Sequence, residues 1–262
     1  MKTIGKKILS GLGLLAVAQE IHYRLSFLNK NSSHPRKLVF QFYRQFIGKG
    51  QLVFDIGANI GDRVVVFDEL GGIIVAAEPQ VHCVSKMQKS FAGKRNIHIE
   101  NIGLGEKDGE MDFFICDEDD RLSTFSNDQM ENSFFSGNTK WNRKEVIKVL
   151  TLDGLISKYG LPGFCKIDVE GFEVNVLKGL HQPIPALSFE FSSKQCDKAE
   201  ECMLLLKRID SNYKFNICFG EPYGLFLPDW TEPDRILQAI QEQDRVSPTH
   251  AWGDIYAKLS SK

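Results

Sequence analysis

The sequence predicts an α/β protein built on a doubly wound, Rossmann-like parallel sheet with helices on both faces. Three observations carry that expectation. Apolar runs of strand length at 52–56, 73–77, 97–99, 164–169 and 186–191 are separated by stretches of helical period, the alternation that gives a mostly parallel sheet. Most of the connections are short and are punctuated by glycine or proline. Several runs end at an acid or amide, namely Asp55, Glu78, Asn101, Asp168 and Glu190, and open α/β sheets bind their ligands outside those carboxyl ends.

Taken in order, the chain begins with Lys2, Lys6 and Lys7 ahead of an apolar run over 8–18 that ends in Ala16-Val17-Ala18. That resembles an export signal, but the pattern continues through Ile21, Tyr23, Leu25 and Leu28 as an amphipathic helix. A packed helix is the preferred reading, with interfacial membrane or oligomer contact as the alternative. The run is too short for the ~20 apolar residues that span a bilayer. Pro35 ends a polar break, and a second helix is expected over 38–47. Residues 1–48 thus read as an N-terminal helical extension and 49–262 as one domain, a size that one core can serve.

Within that domain, a strand at 52–56 leads through a glycine turn into a helix over 61–70 that Gly71-Gly72 stops. Next come a strand at 73–77, a helix carrying Val81, Val84, Met87 and Phe91, and a strand at 97–99. The regular alternation is then interrupted. Runs 111–116 and 146–152 read as an accessory hairpin flanking a polar segment, 117–145, far longer than the ~4–6 residues typical of connections. It holds Phe125, Phe134, Phe135 and Trp141 among Ser, Asn and Asp, which suits either a lid over a polar ligand or a surface insertion. A helix at 153–158, a strand at 164–169, a helix at 172–180 and a strand at 186–191 follow. A long helix at 196–209, a strand at 213–219, a helix at 232–242 and a last strand at 252–259 complete seven principal strands.

Composition narrows the function classes. Charged residues make up 25% and the net charge is −2, so electrostatics give no reason to expect nucleic acid as a partner. The six cysteines, at 83, 116, 165, 196, 202 and 218, include no C-x-x-C pair, which argues against zinc and a disulfide framework. A cytoplasmic protein is the simpler expectation, with membrane association through the first helix as the alternative.

The chemistry concentrates at VFDIGANIGD, residues 53–62. A dinucleotide fingerprint needs glycines at its first, third and sixth positions, and those positions hold Gly57, Asn59 and Asp62. The turn D-x-G-x-N-x-G therefore suits a cofactor with no pyrophosphate to cradle. Glu78, a little over 20 residues beyond the turn, stands where an acid accepts ribose hydroxyls. Acids gathered from several strands favour a positively charged ligand, and S-adenosylmethionine carries a sulfonium and an ammonium. Asp62 reads as a helix cap. His82 could line the pocket, though a surface histidine at a helix start is the plainer reading.

VFDIGANIGD, AAEPQ, NIGLGEKDGEMDF, VLTLDGLI and FCKIDVEGFEVNVLKGL, in that order and spacing, together resemble the FkbM-type S-adenosylmethionine-dependent methyltransferases over roughly residues 50–191, and WGDIYAK is similar to the family's last strand. The resemblance implies the seven-stranded methyltransferase sheet with its last strand antiparallel, and O-methylation of a small polar or glycan-type acceptor. It implies cofactor contacts from Asp55, Gly57, Ala58, Asn59, Gly61, Glu78, Pro79 and Asn101. It also implies that Asp168 and Glu170 face the transferable methyl. Asp168 is the first candidate for general base and Glu190 the second. A divalent metal bridging Asp168, Glu170 and a substrate diol would serve the same end, although the spacing does not require one. Lys166 could hold these acids or be turned away by its strand position, and Glu173 reads as an ion-pair or capping residue. The competing classes are an NAD(P)-binding Rossmann oxidoreductase, disfavoured by the missing glycine and by the lack of a Tyr-x-x-x-Lys set, and a catalytically silent nucleotide-binding module. A nucleic-acid methyltransferase is disfavoured by the absence of a basic face and of an N-P-P-Y motif.

Overall fold

The structure is a computed structural model that describes residues 33–116, 123–125, 141–247 and 250–260. The expected helix over 8–28 lies outside the described residues, as do Phe134 and Phe135. Strands β1 (Leu52–Ile56), β2 (Ile73–Ala77) and β3 (Ile97–Glu100) alternate with helices α2 (Asp62–Glu69) and α3 (Val81–Ser90), after an initial helix α1 (Ser33–Tyr43). Then come β4 (Gly103–Leu104), β5 (Gly109–Cys116), β6 (Trp141–Leu150), α4 (Leu152–Tyr159), β7 (Phe164–Ile167), α5 (Glu173–Lys178) and β8 (Ala186–Ser192). The chain closes with α6 (Cys196–Ile209), β9 (Tyr213–Phe219), α7 (Pro233–Asp244) and β10 (Trp252–Leu259).

Seven strands form one sheet in the order β3-β2-β1-β7-β8-β10-β9. All of its pairings are parallel except those of β10, which runs antiparallel to both β8 and β9. The order reverses direction beside β1, so the carboxyl ends of β1 and β7 flank the switch point at which such sheets bind ligands.

Alternation along each strand divides the core in two. Phe54, Ile56, Cys165, Ile167, Leu187 and Phe189 enter the larger cluster, together with residues of α4 to α7 and of the small sheet. Val53, Phe164 and Tyr256 enter the other, against α1, α2 and α3. Aromatic rings dominate this second face: Tyr43 meets Phe67 edge-on at 5.0 Å, and Phe46 stacks on Phe164 at 5.2 Å and on Tyr256 at 5.3 Å. The described part of the N-terminal extension is therefore packed on the sheet, its Val39, Phe42 and Tyr43 buried.

Three local differences from the sequence expectation have physical reasons. Helix α1 starts at Ser33 rather than beyond Pro35, because the first turn of a helix has no internal partner for the N–H that proline lacks. The accessory hairpin gains a third strand, giving the order β4-β6-β5; β4 is only two residues long and carries no period to read. Strand β6 stops at Leu150 because Thr151 caps α4, its Oγ1 accepting from the Gly154 N–H at 3.0 Å. Among the described residues no helix is long and apolar enough to cross a membrane.

Candidate active site

The glycine turn after β1 is held by the end of β2. The N–H groups of Gly57 and Ala58 both donate to the Ala77 carbonyl, at 2.9 and 3.1 Å. Asn59 sits in the left-handed region at φ 49, a conformation that asparagine tolerates better than most side chains. Its N–H donates to Glu78 Oε2 at 2.9 Å, while the Gln80 N–H donates to Glu78 Oε1 at 2.9 Å. Each carboxylate oxygen of the buried Glu78 thus has one backbone donor and keeps further lone-pair capacity. Asn101 supports the same corner from below: its Nδ2 donates to the carbonyls of Glu78 and Pro79 at 3.0 and 2.8 Å. Its amide nitrogen is engaged in holding the turn.

Gly61, at φ 91, is the N-cap of α2. A Cβ there would lie 2.8 Å from the Phe91 ring. Asp62, expected as the cap, is instead the first helical residue, and no side chain caps this end. Gly57 is more tightly constrained. A Cβ on it would fall 1.7 Å from the Asp168 carbonyl oxygen, and the Asp168 N–H donates to the Ile56 carbonyl at 2.9 Å. The cofactor-type turn and the end of β7 are therefore in direct backbone contact.

Beyond β7, the acid turn carries Asp168 and Glu170. Glu170 adopts φ 53, an uncommon conformation for a long side chain. Glu173, at the start of α5, ties the turn by accepting from the N–H groups of Val169 and Gly171 at 3.1 and 3.2 Å, the capping role anticipated for it. One carboxylate oxygen from each of Asp168, Glu170 and Glu190 lies within 4.8 Å of the others. That is close enough to surround one divalent cation, an arrangement that acid clusters also adopt without an ion.

Lys166 is the only base on its strand and faces the acids. It sits two residues before Asp168, so both side chains leave β7 on the same face, and its Nζ donates to Asp168 Oδ2 at 2.6 Å. The pairing register places Asp55 and Ser188 beside Lys166, and Tyr256 beyond Ser188. One step further along, Asp254 stands opposite Glu190. A polar layer thus crosses the α1/α2 face of the sheet. Arg63 closes it from α2, paired with Glu221 at 2.5 Å, and Tyr256 donates to Asp254 Oδ2 at 3.2 Å.

Burial and charge set the protonation states. Burial disfavours the Lys166 ammonium, but Asp168, Asp254 and Asp55 outweigh it and hold its pKa above the ordinary lysine value. Burial pushes the Asp168 carboxyl up, yet the charge and hydrogen bond of Lys166 prevail and hold it below the usual range. Glu190 goes the other way: burial, then the negative charge of Asp168 and Glu170, raises it well above its ordinary value. The two neighbouring carboxyls are therefore pushed in opposite directions, Asp168 toward the ionised form and Glu190 toward the protonated one. Burial also raises Asp55 to about 6 against the pull of Lys166, Glu78 to about 6 and Glu173 to about 7 against their backbone donors. Asp55 Oδ2 is buried and has no hydrogen-bond partner.

The structure brings Asp55, Gly57, Ala58, Asn59, Gly61, Glu78, Pro79 and Asn101 together around the β1 and β2 ends, and Asp168, Glu170 and Glu190 together beside them. Arg63, Asp254 and Thr124 join the site without having been anticipated. Only the parity of Lys166 with Asp168 was available as a signal; the others depend on register and on contacts remote in sequence. Phe125, read as part of either a lid or a surface insertion, is buried against Phe113 and Phe172 with ring centroids 4.6 and 5.5 Å apart. His82 lies beside Cys83, its Nε2 3.3 Å from the sulfur.

Gly57→Ala and Gly93→Ala separate backbone strain from the close approach. Both glycines have nearly the same φ, 79 and 81, but Gly93 has nothing within 4 Å of a Cβ. Gly93→Ala should cost roughly 1–2 kcal/mol from the left-handed backbone alone. Gly57→Ala should lower the denaturation midpoint distinctly further and abolish binding of S-adenosylhomocysteine by calorimetry. Equal effects from the two substitutions would contradict the packing described.

The Methyltransferase FkbM domain matches residues 55–244. No curated protein matches the chain. Among solved structures, the chain is similar to a precorrin-6y C5,15-methyltransferase from Geobacter metallireducens, at 10% identity, TM-score 0.45, and 88% and 90% coverage of this chain and that one. It is also similar to a putative rRNA methylase from Clostridium thermocellum, at 10% identity, TM-score 0.42, and 85% and 94% coverage. A third is a putative methyltransferase from Streptococcus mutans in complex with S-adenosylhomocysteine, at 11% identity, TM-score 0.37, and 86% and 98% coverage. One expectation is corrected: a small-molecule or glycan acceptor with nucleic acid excluded does not follow from the net charge of −2 and the missing N-P-P-Y motif. Overall charge reports the balance of the whole surface and does not decide what one cleft accepts. The match over more than half of its length shows that the chain belongs to the FkbM methyltransferase family and is an S-adenosylmethionine-dependent methyltransferase.

Proposed function

We propose that the protein transfers a methyl group to a hydroxyl oxygen, with Asp168 as the group that takes the hydroxyl proton. The observation that carries this reading is the Lys166–Asp168–Glu190 array at the switch point of the sheet, in which the Lys166 ammonium is bonded to Asp168 at 2.6 Å and Glu190 lies in the same acid cluster, Asp168 held below and Glu190 above the ordinary carboxyl range. Several features support the fit of S-adenosylmethionine. The buried, unpartnered Asp55 Oδ2 suits an ammonium donor. Glu78 retains acceptor capacity on both oxygens for a ribose diol, and the turn of Gly57, Ala58, Asn59 and Gly61 offers backbone without bulky side chains. Pro79 and Asn101 fix the corner on which Glu78 stands.

When bound, the cofactor supplies an electrophilic methyl and its own leaving group. The residues are left with orientation and one proton. Asp168 accepts a hydrogen bond from the acceptor hydroxyl and aims its oxygen. A carboxylate with a lowered pKa is a weak base, but the hydroxyl proton becomes strongly acidic as its oxygen acquires the new bond, so a weak base placed at hydrogen-bond distance is sufficient. Glu190, protonated, donates to Asp168 and keeps the second negative charge out of the site. Glu170 completes the acid wall that a polar, hydroxyl-rich acceptor can hydrogen-bond. The acceptor class is left to a product assay with labelled S-adenosylmethionine against glycans, lipids and RNA.

Two outcomes are expected. Asp168→Asn should keep S-adenosylhomocysteine affinity within about threefold and reduce turnover by roughly a hundredfold or more, the scale of general-base removal; unchanged turnover would move the role elsewhere. Second, cofactor binding should depend on pH. Asp55 and Glu78 both titrate near 6 in the free protein, so below that value they are protonated and poor partners for an ammonium and a ribose diol. Calorimetric affinity for S-adenosylhomocysteine should therefore rise as pH goes from 5 to 7.5 and then level off. Because these pKa values are raised, their contribution to folding is present below the ordinary carboxylate range and is lost as pH climbs through about 6. Stability of the free protein should fall over the window in which affinity grows. A flat affinity profile would contradict the assignment of both acids.

A further inference from the structure

The small sheet looks dispensable to a methyl transfer performed at the ends of β1, β2, β7 and β8. It is attached to the acid turn, however, by three residues that lie between β5 and β6. The Ser123 Oγ accepts from the Cys116 N–H at 3.1 Å. Thr124 pairs with Phe114 as an antiparallel bridge, exchanging both backbone hydrogen bonds at 2.9 and 3.0 Å. Phe125 fills the space over Gly103, where a Cβ would come within 2.4 Å of its ring, and packs on Phe113 of β5 and on Phe172 just beyond the acid turn. The segment is thus fixed to the small sheet by its backbone and to the main domain by its ring.

The remaining contact is the informative one. The Thr124 hydroxyl, on a fully buried residue, donates to the Glu170 carbonyl oxygen at 2.8 Å. Glu170 is one of two non-glycine residues in the left-handed region among those described, and nothing in its side chain favours that conformation. The turn is gripped from both directions: Glu173 takes the N–H groups of Val169 and Gly171, Thr124 supplies a donor to the Glu170 carbonyl, and Lys198 Nζ reaches the Gly171 carbonyl at 3.4 Å. Turning Glu170 about its N–Cα bond, out of the left-handed region, swings its carbonyl and its side chain together, so it would break the Thr124 bond and carry the Glu170 carboxylate away from Asp168 and Glu190.

We propose that Thr124 is a positioning residue that acts through Glu170, its hydroxyl holding the acid turn in the left-handed conformation that places the Glu170 carboxylate beside Asp168 and Glu190. The small sheet then has a function in the site, as the rigid base from which this hydroxyl is presented. The consequence for methyl transfer rests on the assignment of that acid cluster as the acceptor face; the conformational part does not.

The test uses the full chain and three variants. Thr124→Val removes the donor and keeps the β-branched shape, Thr124→Ser restores the donor without the methyl, and Thr124→Ala replaces the valine variant should that one fail to fold. Hydrogen exchange of the peptide covering residues 168–172 should be about fivefold faster in Thr124→Val, the scale of one lost buried hydrogen bond, and should return to the parent rate in Thr124→Ser. S-adenosylhomocysteine affinity should stay within about twofold in all variants. Transfer of label from S-adenosylmethionine to whichever extract fraction the parent methylates should drop about tenfold in Thr124→Val and recover in Thr124→Ser. Parent-like exchange at 168–172 in Thr124→Val would overturn the proposal, as would an equal loss of transfer in the serine variant. If instead Asp168→Asn remained fully active while exchange at 168–172 responded as stated, the base assignment would fail and the Thr124 contact would stand.

Discussion

One buried ammonium sets the terms for the whole site. Lys166 is sealed into the α1/α2 face of the sheet, near Tyr43, Asp55 and Asp254, with Asp168 in direct hydrogen-bond contact. Removing a lone ammonium from water costs several kcal/mol even after relaxation, so it persists because the carboxyls of Asp168, Asp254 and Asp55 outweigh that cost. The return effect is the functional one. The charge and hydrogen bond of Lys166 hold Asp168 below the usual carboxylate range, while burial and then the negative charge of Asp168 and Glu170 hold Glu190 well above its own. Two chemically similar acids at adjacent strand ends are thereby pushed in opposite directions.

The second constraint is steric. Because a Cβ on Gly57 would meet the Asp168 carbonyl, and because the Asp168 N–H is bonded to Ile56, the turn that suits the cofactor and the turn that carries the acids move as one body. Their relative placement is fixed by backbone rather than by flexible side chains. In-line transfer requires this of the protein, since a displacement of about an ångström between reacting groups is enough to cost orders of magnitude in rate. Glu173 from α5 and Thr124 from beside β5 extend the same rigidity to Glu170.

Much of this was legible in the sequence, for identifiable reasons. Strands β1, β2, β7 and β8 are short and apolar and end at acids, so both their existence and their ligand-binding edge could be read directly. Helix α6 and strands β9 and β10 were read to the residue because their periodicity is uninterrupted. The irregular parts were less visible. Strand β4 is too short to have a period, and the cap of α2 proved to be Gly61 because the turn before it is left-handed, which the acid at 62 concealed. The bracing of the Glu78 corner by the Asn101 amide nitrogen, a residue read from the sequence as a cofactor contact, was likewise not visible. Asp254, Arg63 and Thr124 join the site through register and long-range packing, and a single sequence contains neither. Lys166 is the intermediate case, since its two-residue spacing from Asp168 fixes the shared face while the depth of its burial depends on β8, β10 and α1.

The most direct test of this account is a carbon NMR titration of the side-chain carboxyls, with Asp168 and Glu190 identified by the signals lost in Asp168→Asn and Glu190→Gln. The account predicts that Asp168 stays ionised to below the ordinary aspartate value of about 3.9, as far down as the protein remains folded, while Glu190 holds its proton well above the ordinary glutamate value of about 4.3. An Asp168 signal that titrates at or above the ordinary value, with Glu190 ionised beside it, would contradict it.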